Sequence, residues 1–520
     1  MGPNKMDIDN TARPEAPEVI PSTSQADSDF GGKVRSAVIW RSGTQILAQI
    51  ISWGSTLAVM RILSPGDYGI FAMAQVVLVF LAFMSGHGFA SSLIQTKDVS
   101  KFQIRQAFGI LLLLNAGIAL TQLVIASAAA AYYKQPIVAE LLRWQALIYL
   151  ATPFMVIPEV LMMRNLEFKK PAIINLLSAV VGVVVALSCA YSGWGVWTLI
   201  AAPIAIFWSR AVCLVIATRF YYWPSFDFRG AGHMVGFGTA LLLNHFFWTI
   251  HSQADIFIAG RVLDPHTLGL YSEALFFALI FSSKFVPPLN EVAFPAYSKL
   301  QDDPEAFSAA FLKAVRLIML IAFPFYFGMV VAAEPMVLTL LGEKWREMIP
   351  FVQILALAMP VMTLQILFGP ATNALGKPKI LMRNSIFGAL VMPVIYYIAI
   401  QYGALALAWG WLISFCALMG FTYWTSHRPI GITLSGLLAS IRPGLIAGLV
   451  MAAIVFLTDH FLLLPLGGGL PQPVRLAALV TLGGASYFAM LWYSSREAFL
   501  EAFNLVVKRK APDIDLPAKA

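Results

Sequence analysis

A stripe of polar side chains runs along the first apolar segment of the sequence, near residues 37–60. Its members recur at helical spacing and are Arg41, Gln45, Gln49, Ser52 and Thr56. At about 100° per residue of an α-helix, these positions fall within an arc of about 80°. A guanidinium binds phosphate as a charged fork, and amides are suited to sugar hydroxyls. The stripe therefore predicts one wall of a polar cavity. The alternative is that Gln and Ser only hydrogen-bond one helix to the next.

A second stripe lies in the apolar segment near residues 236–260. It comprises Asn244, Trp248, His251 and Asp255, flanked by His245 and Ser252. Polar residues within a spanning helix usually face a cavity or a partner. We therefore expect this stripe to face the first one across a shared cavity.

Lys284 is a lone cation in the apolar run "FFALIFSSKFVPP". It shares a helical face with Glu273, eleven positions earlier. Lys284 is a second candidate for binding an anionic group, and the alternative is that it snorkels to the membrane edge. Arg210 is a weaker candidate, because no second polar group lies near it on its own helix.

Four titratable residues cluster within apolar segments, and these are His245, His251, Asp255 and Glu273. Of these, His245, Asp255 and Glu273 are candidates for ion coupling, since a proton relay needs such groups at membrane depth. The alternative is a set of ordinary hydrogen-bonded or ion-paired side chains. Arg261, six residues after Asp255, would neutralise that carboxylate.

The sequence carries no recognisable catalytic or metal-binding motif. The stretch "GPATNALGKP" differs from a phosphate-binding loop in its spacing and in having Pro378 where Ser or Thr is required. Cys189, Cys213 and Cys416 lack metal-ligand spacing. We therefore expect no catalytic residues, no metal and no cofactor.

The composition places these motifs in a membrane protein. Of the 520 residues, 59% are hydrophobic and 12% are charged. Apolar runs of about 20 residues, the length that spans a bilayer, follow one another from residue 37 to residue 494. They predict an all-α polytopic membrane protein with about fourteen transmembrane helices. The net charge of +8 is spread over short loops, as the positive-inside rule requires, and does not indicate nucleic-acid binding.

A short sequence occurs twice, as "RILSPGDYGIF" at 61–71 and "RVLDPHTLGLY" at 261–271. Arg in this motif would snorkel or cap carbonyls, Pro suits the first turn of the next helix, and Gly permits a close contact. The copies follow the first and seventh predicted helices and so emerge on the same face. This predicts a parallel repeat, with an axis along the membrane normal. Lys and Arg are concentrated in the opposite loops and in both tails, which places both termini in the cytoplasm.

The repeat divides the chain into lobes and tails. We predict a disordered cytoplasmic tail over 1–32, a six-helix lobe over 33–225 and a second over 226–430. Two extra transmembrane helices follow over 431–495, and a cytoplasmic tail over 496–520.

Four stretches carry a resemblance to a known family: "RILSPGDYGIFAMA" (61–74), "RNLEFKKPAIINLLSAVVG" (164–182), "LGEKWREMIPFVQILALAMPV" (341–361) and "NALGKPKILMRN" (373–384). With this spacing, the chain resembles the Wzx-type polysaccharide flippases of the multidrug/oligosaccharidyl-lipid/polysaccharide exporter superfamily. It is most similar to the subgroup that resembles the colanic acid exporter.

The resemblance implies two lobes around a central cavity that opens alternately to each side of the bacterial inner membrane. The implied substrate is an oligosaccharide repeat unit on undecaprenyl pyrophosphate, flipped from the cytoplasmic to the periplasmic leaflet for exopolysaccharide or lipopolysaccharide synthesis. Arg41 and Lys284 would then bind phosphate, and Gln45, Gln49, Asn244, Trp248 and His251 would line the cavity. The resemblance also implies that the protein is not an enzyme. Its implied partners are membrane lipids and a polysaccharide polymerase or export machinery.

Two other functions remain open at this stage. A drug or metabolite antiporter of the same superfamily would favour an acidic cavity, which Arg41 and Lys284 argue against. A glycan polymerase or ligase would need a large periplasmic loop, which the spacing of the apolar segments does not provide.

Overall fold

The computed structural model describes residues 23–82, 100–165, 167, 169–227, 232–463, 470–494, 496 and 500. Along 23–42 and 232–245 it describes the helical backbone and not the side chains. All regular structure in the described part is helical, which confirms the predicted all-α class. The first helical set is α1 (Thr23–Ile62), α2 (Pro65–Ala82), α3 (Lys101–Tyr133), α4 (Pro136–Gln145), α5 (Leu147–Arg164), α6 (Lys169–Tyr191) and α7 (Thr198–Thr218).

The second helical set begins with the other copy of the repeated motif. It comprises α8 (Gly232–Val262), α9 (Pro265–Lys284), α10 (Val286–Ser298), α11 (Pro304–Val331), α12 (Ala333–Leu340), α13 (Ile349–Ile366), α14 (Phe368–Ala374), α15 (Pro378–Ile400) and α16 (Ala404–Ile430). Two further helices follow, α17 (Leu434–Thr458) and α18 (Gln472–Ser494). Short 3₁₀ helices lie at Gly195–Trp197 and Glu343–Met348.

Local signals in the motif start the helices that follow it. Pro65 and Pro265 occupy the first positions of α2 and α9, where a missing backbone N–H costs nothing. Before α9, the Asp264 carboxylate accepts a hydrogen bond of 3.1 Å from the Thr267 amide. Before α2, the amides of Ser64 and Asp67 each bond to the other residue's side chain, at 3.0 and 3.3 Å. Both proline predictions are thereby confirmed.

The two helical sets repeat the same packing. In the first set α1 packs on α6, α6 on α7, and α5 on α7; in the second set α8 packs on α15, α15 on α16, and α13 on α16. Helix α2 of the first set packs against α9 of the second set, and each of these two helices corresponds to the other in the repeat. A pair that maps onto itself must lie on the pseudo-two-fold axis. The boundaries predicted for the two lobes stay a prediction.

Twelve helices of the described part are long and apolar enough to cross a membrane. They do not include α1 and α8, so the predicted total of fourteen stays a prediction. The predicted N-terminal tail differs from the structure over its last ten residues, because α1 begins at Thr23 and not after residue 32. The helix starts before the apolar run that predicted it, in a segment whose sequence has no apolar periodicity. Residues 1–22 and almost all of 496–520 lie outside the described residues.

The extra helices α17 and α18 are fixed to the second set by packing and by charge. Helix α17 packs along α11 and against α18. Arg475 in α18 is buried and donates hydrogen bonds of 2.7 and 2.6 Å to the two carboxylate oxygens of Asp459. It also donates one of 3.1 Å to Glu334 in α12, which in turn pairs with Arg346. One buried guanidinium therefore joins three elements.

Candidate functional site

The two copies of the repeated motif meet at the crossing of α2 and α9. A Cβ atom on Gly69 would lie 1.8 Å from the carbonyl oxygen of Pro265, and one on Gly269 would lie 1.8 Å from that of Pro65. Only glycine allows two backbones to approach this closely. The contact is reciprocal, so the pseudo-two-fold axis passes between the two glycines. We call this end of the molecule, where α1 joins α2 and α8 joins α9, the motif end.

The arginine of each motif copy reaches into the opposite helical set. Arg61 donates to the Leu340 carbonyl at 2.8 Å and also bonds to the Thr339 carbonyl, at the end of α12. Arg261 bonds to the Tyr132 carbonyl, near the end of α3, and its guanidinium lies 5.2 Å from the centre of the Tyr132 ring. Each arginine thus caps exposed carbonyls of a helix in the other set. The predicted capping role is confirmed, and it operates between the sets.

The end of α1 is also held by the 3₁₀ helix of the second set. The Lys344 ammonium donates to the Arg61 and Ile62 carbonyls at 3.1 and 2.9 Å. The buried Trp345 indole donates to the Met60 carbonyl at 3.0 Å, and its ring meets the edge of Tyr68. The hydrogen bonds observed between the two sets are therefore grouped at the motif end, which is closed in this conformation.

Away from the motif end, the first parts of α1 and α8 are less covered. Ile46 and Ile50 on α1 are 61% and 60% exposed, and Trp248 on α8 is 49% exposed. Gln45 is exposed as well, whereas Gln49 is half-buried. The side chains of Arg41, Asn244 and His245 lie outside the described residues.

The stripe on α1 does not line a single cavity. Gln45 lies in a cavity of about 170 Å³ among α1, α5, α6 and α7, together with Asn175 and Arg210. Ser52 and Thr56 lie in a second cavity of about 370 Å³, lined by α1, α2, α6, α7 and α9. Gln45 on the one hand, and Ser52 and Thr56 on the other, therefore face different spaces, and the role predicted for the stripe in substrate binding stays a prediction.

The smaller cavity contains an ion pair that the sequence did not indicate. The Arg210 guanidinium on α7 donates to both carboxylate oxygens of Glu159 on α5 at 2.9 Å. Arg210 has no polar neighbour on its own helix, and its partner lies 51 positions earlier in the chain. Gln45 faces the same space. Glu159 and Arg210 therefore join the candidate site residues.

Asp255 is buried in the second helical set and not in a cavity wall. Its carboxylate accepts hydrogen bonds from the Tyr271 hydroxyl at 2.8 Å and from the Trp411 indole at 3.0 Å. Arg261, which was expected to neutralise it, bonds instead to backbone carbonyls of α3. That expectation is wrong, because the long guanidinium is directed across the motif end and not back along its own helix.

The remaining members of the α8 stripe have separate surroundings. His251 packs its ring against the backbone at Gly388 on α15, and its Nδ1 is buried without a hydrogen-bond partner in the described part of the chain. Trp248 meets the His251 ring edge-on, with centroids 6.3 Å apart. This side of α8 thus faces its own helical set as well as the space between the sets.

Glu273 and Lys284, which share a face of α9, differ in exposure. Glu273 lines the cavity of about 370 Å³, near Tyr68 and Gln75 of α2. Lys284 is the last residue of α9 and is exposed, directly before the Pro-containing start of α10. The structure therefore does not place these two side chains in one site.

A third cavity, of about 540 Å³, is apolar. It lies among α2, α3, α8 and α15, and its lining is apolar apart from Thr249 and Gln253. Under the repeat, α2, α8 and α15 correspond to α9, α1 and α6. Thr249 and Gln253 nevertheless correspond to Gln49 and Trp53 of α1, which do not line the cavity that contains Glu273, so the two cavities lie on different faces of the paired helices.

Comparison with known proteins gives a consistent result. The model of a family described as "Polysaccharide biosynthesis protein" matches residues 58–350. The succinoglycan biosynthesis transport protein ExoT of Rhizobium meliloti is 27% identical over 461 residues, 86% of this chain and 91% of ExoT. The lipopolysaccharide biosynthesis protein WzxC of Escherichia coli is 22% identical over 377 residues, 71% of this chain and 76% of WzxC. The solved structure of the lipid II flippase MurJ, in an inward closed conformation, matches with a TM-score of 0.71 at 12% identity, covering 88% of this chain and 99% of MurJ.

Proposed function

Because this chain belongs to the polysaccharide biosynthesis protein family, we propose that it is a flippase for a lipid-linked oligosaccharide. Its substrate would be a repeat unit on undecaprenyl pyrophosphate, moved from the cytoplasmic to the periplasmic leaflet of the bacterial inner membrane. The relatives named as transport and lipopolysaccharide biosynthesis proteins support a transporter and not an enzyme.

The observation that carries the proposal is the arrangement of the two helical sets about the motif end. Two sets with repeated packing are joined by a reciprocal contact of two glycines and by arginines that reach across. Such a contact closes one end of the space between the sets, and forming and breaking it would expose that space alternately to the two sides, as in many transporters.

The charge distribution supports the orientation. With both termini in the cytoplasm, the motif end lies on the periplasmic side, and the conformation described is closed to the periplasm. The less covered halves of α1 and α8 then face the cytoplasmic leaflet, from which the sugar headgroup would enter. Polymerase or export proteins would receive the product at the motif end.

The substrate assignment is tested by deleting the gene and analysing the lipid-linked glycans of the strain. We expect one undecaprenyl-pyrophosphate-linked oligosaccharide to accumulate on the cytoplasmic leaflet, and the intact gene to restore its export. A strain with normal glycan export, but with impaired efflux of small amphiphilic cations, would overturn the proposal in favour of an antiporter.

The phosphate-binding assignment is tested with Arg41→Ala and Lys284→Ala. We expect each variant to lose export while the protein remains inserted and folded, since each removes a cation that would offset the pyrophosphate charge. Lys299→Ala, an exposed cation at the end of α10, serves as the matched control and should export normally. Normal export by Arg41→Ala or by Lys284→Ala, at normal protein level, would contradict that residue's role.

A further inference from the structure

The cavity of about 370 Å³ joins the two helical sets near the motif end. Most of its lining comes from the first set, including Ser52, Thr56 and Thr198, whereas Glu273 comes from α9 of the second set. A ligand held there would contact both sets at once.

Glu273 is the only charged side chain among the described residues that line this cavity. The structure shows no hydrogen bond or ion pair from its carboxylate to any described residue. Tyr68 is the only other titratable group in the described lining, which also includes the apolar residues Leu199, Ile206 and Phe276. A carboxylate among apolar side chains at membrane depth is costly without a positive charge beside it.

Two other oxygen atoms in the cavity also lack partners. The side-chain carbonyl oxygen of Gln75 and the hydroxyl of Thr198 are buried without hydrogen bonds to the described residues. Thr198 is only 1% exposed. A carboxylate, an amide oxygen and a hydroxyl form the kind of oxygen donor set that hard cations prefer.

The residues that correspond to Glu273 and Gln75 in the repeat are apolar. With the offset that relates Pro65 to Pro265, Glu273 corresponds to Met73 and Gln75 corresponds to Leu275. The buried Met73 shows that the fold accepts an apolar side chain at the position that Glu273 occupies in the other helical set.

We propose that the Glu273 cavity binds one monovalent cation, Na⁺ or H⁺, that neutralises the Glu273 carboxylate. Since its walls come from both helical sets, its occupancy would favour the closed motif end and would link cation binding to alternating access. This role rests on the proposed transport function, whereas the binding itself does not. Asp255 differs from Glu273, because Tyr271 and Trp411 both donate to its Oδ2 and it lines none of the three cavities described above, although its Oδ1 is buried without a partner among the described residues.

The test is the thermal stability of the purified full-length protein without any glycan substrate. NaCl is titrated at fixed pH against choline chloride at constant total chloride, and pH is then lowered in Na⁺-free buffer. Saturating Na⁺ should raise the Tm of the wild type by about 2 °C or more, by linkage of binding to unfolding. If the occupant is H⁺, lowering the pH raises the Tm and Na⁺ has no effect.

Glu273→Gln keeps the shape of the side chain and removes its charge, so it should lose the response that the wild type shows. Glu291→Gln, an exposed acid on α10, is the matched control and should keep it. Gln75→Leu introduces the residue of the repeat counterpart and should weaken Na⁺ binding about tenfold or more. For H⁺, Gln75→Leu should leave the pH response unchanged.

The proposal is overturned if Glu273→Gln keeps the wild-type response, or if the wild type responds to neither Na⁺ nor pH. Should Glu273→Gln fail to fold, the wild type and Gln75→Leu decide the question: a Na⁺ response that is unchanged in Gln75→Leu, or a wild type that responds to neither Na⁺ nor pH, overturns the proposal. A failure of the flippase proposal would appear in the glycan analysis and would leave these titrations unchanged.

Discussion

Adding one methyl group at the crossing of α2 and α9 should open the motif end. In Gly69→Ala, the new Cβ would lie 1.8 Å from the Pro265 carbonyl oxygen, whereas real Cβ contacts are essentially never shorter than 3.0 Å. The backbones must therefore separate by about 1.2 Å. Neither atom can rotate away, because the oxygen belongs to the backbone. Gly269→Ala makes the same clash from the other side, with Pro65.

The free-energy cost of the added methyl group follows from the close packing of α2 against α9. Overpacking of this kind costs about 1–3 kcal/mol in a close-packed site. Since 1.4 kcal/mol is a factor of ten, the ratio of closed to open molecules should fall by roughly fivefold to a hundredfold. Only the closed state contains the contact, so the open state escapes the penalty.

Spin labels at Glu140 and Glu347 provide the assay. Both positions are exposed, one in each helical set. The labels are attached in a background in which Cys189, Cys213 and Cys416 are replaced by Ala. Pulsed electron–electron distance measurements should show one short distance in the wild type, and a growing population of longer distances in either variant.

Gly66→Ala is the matched control, because Gly66 lies on the same helix and its added Cβ would meet only the Ser64 hydroxyl, at 3.7 Å. It carries the same gain in helix propensity without the clash. Distances in Gly69→Ala and Gly269→Ala that match those in Gly66→Ala would refute the reasoning that the glycines set the approach of the two sets.

Three further predictions concern the charged and buried groups. Arg61→Ala and Arg261→Ala should each lower the Tm by about 2–4 °C and enlarge the long-distance population in the same spin-label assay; an unchanged population would show that these hydrogen bonds do not hold the motif end closed. Arg475→Ala should lower the free energy of unfolding by about 3–5 kcal/mol, because it leaves the buried Asp459 carboxylate unpaired, and a loss below 1 kcal/mol in denaturant titrations would contradict this. Asp255→Asn should fold and export normally because it keeps an acceptor oxygen, whereas Asp255→Ala should lose about 2–4 kcal/mol of stability; loss of export in a stable Asp255→Asn would instead favour an ion-coupling role.

The features that the sequence predicted are those that depend on near neighbours. Pro65 and Pro265 start helices because a proline at a first turn acts within a few residues. The polar arc on α1 followed from helical spacing alone. Which cavity each polar residue faces depends on the neighbouring helices, and spacing on one helix contains no information about them. Gln45 and Thr56 therefore share an arc and face different cavities.

The contacts that the sequence did not predict join distant parts of the chain. Arg61 bonds to carbonyls 278 and 279 positions away, and the partner of Arg210 is 51 positions away. A backbone carbonyl has no sequence signature, since every residue provides one. The sequence also did not identify the aromatic partners of Asp255. Tyr271 and Trp411 lie on apolar helices, and only the fold brings them to the Asp255 carboxylate.

The contact of Gly69 with Gly269 is isologous, as in a two-fold dimer of identical subunits. In such a dimer the same gene encodes both sides of the interface, so every substitution occurs on both sides. Here each side has its own codon, so one half can vary while the other stays fixed. Residues on the axis contact each other and must remain sterically compatible. Residues beside the axis, such as Met73 and Glu273, can differ between the two halves. Fusion of the two halves thus permits a symmetric contact to lie beside a cavity whose chemistry is asymmetric.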